Sequence, residues 1–157
     1  GSMFDITFVN PPLTDDPGNH PVPYGLWQLA SFVEAEGYNT EILDLNYVWR
    51  SSGETFDDLC ERVKNIGSPI VGFTCMGSNL ANALEFAEYL KNARPDVIIV
   101  FGGPHVSLRA RYLRVEACRA IHICICLCGP RVDCAHARSV FVLCAAQLRG
   151  RAYSAAA

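Results

Sequence analysis

Apolar residues fall along this chain in two alternating patterns: short continuous runs, and longer stretches with helical spacing. Ile6-Thr7-Phe8-Val9 is a run that stops at Asn10-Pro11-Pro12, so a strand over 6–9 is followed by breakers. Between Tyr24 and Glu36, Leu26, Leu29, Ala30 and Val33 recur at i, i+3, i+4 and i+7, which predicts a helix stopped by Gly37. Residues 40–45 predict a second strand ending in Asp44-Leu45-Asn46. Phe56, Leu59, Cys60 and Val63 then repeat the helical spacing, with Thr55 and Asp58 placed as a capping box and Gly67 as a stop. Residues 70–75 predict a third strand. A helix follows from Ser78 or Asn79, with Leu80, Ala83, Leu84 and Ala87 on one face and its end before Pro95. Residues 97–101 predict a fourth strand, closing in Gly102-Gly103-Pro104-His105.

Strands that are nearly continuous apolar runs are the kind buried on both faces, as in a parallel sheet covered by helices. With the alternation, this gives an α/β fold: a flavodoxin-like or Rossmann-like doubly wound parallel sheet with four clear strands. Ligands of such sheets bind beyond the carboxyl ends of the strands. Here those ends are rich in glycine, proline and small polar residues, which let a ligand approach the backbone. Ordinary strand-to-helix turns are the plainer account of each loop taken alone.

Composition excludes several classes. Half the residues are hydrophobic and 18% are charged, a globular balance. No apolar run approaches the roughly 18 residues that span a membrane, and a net charge of -3 does not suit a nucleic-acid surface. Gly1-Ser2 reads as a tag remnant, the start has no basic leader, and the expected location is the cytoplasm. The averages conceal a break. Residues 1–107 carry five basic and 14 acidic residues, a net of -9, whereas 108–157 carry eight arginines and two acids, a net of +6. Six of the eight cysteines also lie in 108–157. The expected organisation is therefore an α/β domain over 3–107 and an atypical tail over 108–157.

The loops carry a resemblance. Asn10-Pro11-Pro12 followed by Tyr24-Gly25-Leu26-Trp27-Gln28-Leu29-Ala30, then Val71-Gly72-Phe73-Thr74-Cys75-Met76, then Val100-Phe101-Gly102-Gly103-Pro104-His105, together resemble the cobalamin-binding domain of cobalamin-dependent radical SAM enzymes over residues 3–107. The resemblance implies a corrin lying over the strand ends. It places Asn10, Pro11 and Pro12 in the first binding loop, Thr74, Cys75, Met76 and Ser78 in the third, and Gly102, Gly103, Pro104 and His105 in the fourth. Glycine peptides and the Thr74 and Ser78 hydroxyls would hydrogen-bond corrin amides. Cobalamin proteins that ligate cobalt by histidine carry Asp-x-His-x-x-Gly after a strand; the stretch read against it here is Asp44-Leu45-Asn46-Tyr47-Val48-Trp49. An amide is a poor cobalt ligand, so the resemblance implies cobalamin without a histidine below the metal.

Each candidate also has a plainer account. Asp44 could bond a ligand and Trp27 and Trp49 could line the cofactor edge, but Cys75 suits a small buried hydrophobe, Asp44 a turn-capping carboxylate, His105 a solvated turn, His20 a loop, and the two tryptophans packing under the helices. No catalytic pair, phosphate loop or dinucleotide fingerprint is present. Asp15-Asp16 suggests a receiver-type acidic site, but the matching lysine and aspartate at later strand ends are absent.

The tail admits three readings. Six cysteines with His122 and His136 could form a metal or redox element, although their spacing fits no standard zinc site. Ile121, Ile123, Ile125 and Leu127 alternate with polar or thiol residues, as a fifth strand would. Arginine, alanine and cysteine richness without lysine favours an end read out of frame or carried from a vector, which is compatible with a usable strand. Cys124 and Cys128 have no third cysteine at Arg131, so a radical SAM cluster is not expected in this chain.

The expected function is a cobalamin-binding module, the amino-terminal part of a radical SAM enzyme that performs methyl transfer or rearrangement. S-adenosylmethionine, the iron–sulfur cluster and the radical SAM domain are expected only in the longer parent. The alternatives are a flavodoxin-like module for flavin or nucleotide, and a ligand-free interaction domain.

Overall fold

In the computed structural model, residues 2–13, 22–75, 78–102 and 123–124 are described. The chain runs β1 (Ile6–Asn10), α1 (Tyr24–Ala35), β2 (Thr40–Asp44), α2 (Leu45–Ser52), α3 (Phe56–Lys64), β3 (Ile70–Thr74), α4 (Leu80–Ala93), β4 (Ile98–Gly102) and β5 (Ile123–Cys124). All strand pairs are parallel, in the order β2-β1-β3-β4-β5. This is the flavodoxin-like order, whose winding reverses between β1 and β3. The fifth strand read from the tail is present as Ile123 and Cys124, beside Val100 and Phe101. The zinc and vector readings fall on residues outside the described ones.

Alternation along each strand sends side chains to two cores. Val9, Val71, Phe73, Ile99 and Phe101 face α2, α3 and α4, and the Phe73 and Phe101 rings stack 5.4 Å apart. Ile6, Phe8, Ile70 and Val100 lie on the other face, with Leu26, Leu29, Ala30 and Val33 of α1. Burying these side chains is the main force holding helices to sheet.

The capping box at Thr55 and Asp58 is present in full. Gly37 closes α1 with φ at 86°, a left-handed conformation that glycine adopts without steric cost. Three expectations need correction. First, α3 stops at Asn65, two residues before Gly67, because the Asn65 side chain donates to the Glu61 carbonyl and satisfies the helix end. Second, the stretch after β2 is a helix rather than a turn: Asp44 caps α2 by accepting from the Tyr47 N–H, and Gly53 ends it at φ 69°. Third, Trp27 and Trp49 are not packed under helices but are 50% and 37% exposed. No described helix is long and apolar enough to cross a membrane.

The strand beginnings are tied by polar clamps. Thr7 and Ser68 share a buried hydroxyl hydrogen bond, and Thr7 also donates to Glu41. Asp5 and Asn39 exchange bonds of 2.9 and 2.8 Å. Arg94 donates to the carbonyls of Ile66 and Ser68, and Lys91 to those of Pro95 and Val97. Partial burial lowers the Lys91 pKa, as expected for an ammonium held against the fold.

Candidate functional site

The carboxyl ends of the strands carry a different chemistry. β1 ends at Asn10, where Pro11 and Pro12 offer no N–H to continue the ladder. Both prolines are buried, and their carbonyls accept from the side-chain amides of Asn79 at 3.4 Å and Asn82 at 3.0 Å, at the start of α4. The first loop is thereby tied across the point where the winding reverses. Spacing pointed to Asn79 only as a helix start. Its bond to Pro11 and that of Asn82 to Pro12 had no signal in the sequence.

At the ends of β3 and β4 the side chains are small. Thr74 and Ser78 are half-buried, as is Gly102, whose carbonyl accepts from the Cys75 N–H at 2.7 Å. Cys75 itself is fully buried in the core, its thiol 3.9 Å from the Phe73 carbonyl oxygen. It can therefore serve a ligand through its backbone but not through its sulfur. Met76, Gly103, Pro104 and His105 lie outside the described residues, as does His20. Asn10, Pro11, Pro12, Thr74, Ser78 and Gly102 thus share one rim, spanning the reversal between β1 and β3.

Asp44 and Asn46 adjoin that rim at the end of β2, on the outer side of β1. Asp44 Oδ1 accepts from Asn10 Nδ2 at 3.0 Å and from the Tyr47 N–H at 3.1 Å. Asn46, read as the metal-ligand position, is 1% exposed. Its Oδ1 accepts from the Leu13 N–H at 3.1 Å and from Arg50 Nε at 3.2 Å. The oxygen that would approach a metal is thus committed within the protein, binding the first loop to α2. Beside these residues is a cavity of about 400 Å³. Val22, Pro23 and Ile42 give it apolar walls, Trp27 and Tyr47 aromatic ones, and Asp44 and Asn46 its polar groups. The edge-to-face contact of Trp27 with Tyr24, 5.7 Å between ring centres, restrains the indole.

The rim over β1, β3 and β4 fits a corrin in kind. A corrin periphery is made of neutral amides, which hydroxyls and peptide groups bind without buried charge. Small residues let the macrocycle approach, and the stacked Phe73 and Phe101 below make the platform stiff. Among the described residues no three His, Cys, Asp or Glu side chains form a metal-holding group.

Comparison with known proteins places the fold in a family. Residues 12–132 match the B12 binding domain. An uncharacterized methyltransferase of Pyrococcus horikoshii is 35% identical over 85 residues, which are 54% of this chain and 17% of that protein. The radical S-adenosylmethionine methyltransferase TsrM of Kitasatospora setae, with cobalamin and an iron–sulfur cluster bound, is similar at a TM-score of 0.56 and 22% identity, over 70% of this chain and 20% of TsrM. A CheY-like protein, TadZ of Pseudomonas aeruginosa, is similar at 0.52 and 16% identity, over 85% and 94% of the two chains. At these identities the solved structures establish the α/β fold. This chain spans about a fifth of the length of the methyltransferases it matches. Because the family match covers most of its length, the chain belongs to the B12-binding domain family, whose cofactor is cobalamin.

Proposed function

We propose that this chain is the cobalamin-binding part of a radical SAM enzyme that performs methyl transfer or rearrangement with S-adenosylmethionine. The observation that carries the reading is the rim of small, neutral groups at the ends of β1, β3 and β4, in a chain of the B12-binding family. In this reading the Thr74 and Ser78 hydroxyls and the peptide of Gly102 bind the corrin amides. Pro11 and Pro12 form a wall fixed by Asn79 and Asn82. Met76, Gly103, Pro104 and His105 complete the loops by their match to the family pattern. Cobalamin, when bound, supplies a cobalt centre that accepts and releases a methyl group. The committed oxygen of Asn46 supports binding without a protein ligand from that position. In this reading the chain binds the cofactor, and the cluster, S-adenosylmethionine and substrate belong to the remaining domains of the parent.

The test is an absorbance spectrum of the chain after incubation with hydroxocobalamin and gel filtration. Cobalamin is expected to travel with the protein, with the spectrum of a cofactor lacking a histidine ligand. If the cofactor separates, and separates also from a variant whose β5 follows the family pattern, the cobalamin reading is overturned.

A further inference from the structure

The cavity beside β2 borders the rim at the Asn10–Asp44 bond, and its polar groups are informative. Asn46 is almost wholly buried yet lines the cavity, and its oxygen is occupied by Leu13 and Arg50. Two N–H donors on that oxygen fix which way the carboxamide is turned. Its Nδ2 donates to no described residue. On the wall of an open cavity, that amide is available to a ligand atom that accepts. Asp44 contributes the opposite function: Oδ1 already takes two donors, which leaves Oδ2 to accept from a ligand.

Charge narrows the ligand class. An anion would meet the Asp44 carboxylate, and a cation would meet the Asn46 donor with the Arg50 guanidinium behind it. A neutral group with a donor beside an acceptor satisfies both residues at once. Trp27 is 50% exposed and Tyr47 62%, which provides flat surfaces for a planar ring. A cavity of about 400 Å³ accommodates a small heterocycle.

We propose that the cavity formed by Trp27, Asp44, Asn46 and Tyr47 is a second binding site, for a planar heterocycle bearing a lactam edge, as in a uracil- or hypoxanthine-type base. The lactam N–H donates to Asp44 Oδ2, the lactam C=O accepts from Asn46 Nδ2, and the ring stacks on Trp27. This site does not depend on the cobalamin reading.

The experiment titrates the full chain, carrying Trp49→Phe so that Trp27 is the reporting indole, with uridine and with 3-methyluridine, which lacks the N–H. Uridine is expected to quench the fluorescence saturably, and 3-methyluridine to bind about tenfold more weakly. Asp44→Asn retains a residue that caps α2 equally well but presents a donor where the ligand needs an acceptor. It is expected to weaken uridine about tenfold with an unchanged circular dichroism spectrum. Trp27→Ala, followed by calorimetry, is expected to weaken it by a similar factor. The proposal is overturned if uridine fails to saturate at millimolar concentration or if the methylated probe binds equally. Unaltered affinity in folded Asp44→Asn overturns it, as does displacement of uridine by hydroxocobalamin.

Discussion

The two ends of the sheet are built on opposite principles. Where the strands begin, charged and hydroxyl side chains close on backbone carbonyls and on each other: Arg94 on Ile66 and Ser68, Lys91 on Pro95 and Val97, Thr7 on Ser68 and Glu41. Where they finish, long side chains give way to Pro11, Pro12, Thr74, Ser78 and Gly102. One end holds the fold with long charged side chains and hydroxyls, and the other holds it with short amides and leaves small residues along its rim. An open sheet with crossovers on both faces can separate the tasks this way, because every strand points toward the same end.

Substitutions at the two ends should therefore move different observables. Arg94→Ala removes a charged donor from two carbonyls, and its expected cost is about 2–3 kcal/mol. Urea denaturation measures that as a lower midpoint, while cobalamin affinity of the folded protein stays unchanged. An affinity loss matching the stability loss would break the contrast. Thr74→Val keeps the β-branched shape and removes a hydroxyl. Cobalamin binding is expected to weaken about three- to tenfold, with stability altered by no more than about 0.5 kcal/mol. The smallest effect concerns pH. Bonds from the Thr55 backbone and side chain lower the Asp58 pKa, and Arg62 does the same for Glu54. A carboxylate with a lowered folded pKa stabilises the protein above its ordinary pKa, and the contribution is lost as the pH falls through the lowered value. Asp58→Asn should flatten the acid limb of stability against pH while leaving cobalamin binding unaltered.

How much of this was legible in the sequence depended on the length of the signal. The four main strands announced themselves because each is a continuous apolar run, and α1, α3 and α4 because each shows at least two turns of helical spacing. Helix α2 did not. It has eight residues, Tyr47, Val48 and Trp49 are indifferent helix formers, and only Asp44 before it and Gly53 after it mark its ends. That omission placed Asn46 on a turn facing a ligand, where the fold buries it in the first turn of a helix. The exposed tryptophans were misplaced because hydrophobicity alone cannot distinguish a side chain in a core from one on a cavity wall. The rim residues were legible as a set through the family pattern, whereas the amides of Asn79 and Asn82 become meaningful only when the chain is folded.

The paired prolines after β1 have a mechanical consequence. Neither can donate a hydrogen bond, so the bend they form cannot be knitted into the sheet. Its carbonyls are gripped by Asn79 and Asn82 at the head of α4. Pro11–Pro12 and α4 are in effect two jaws joined by a pair of pins. Any force that tilts α4 is delivered to the first loop, and a load on the loop is felt by the helix.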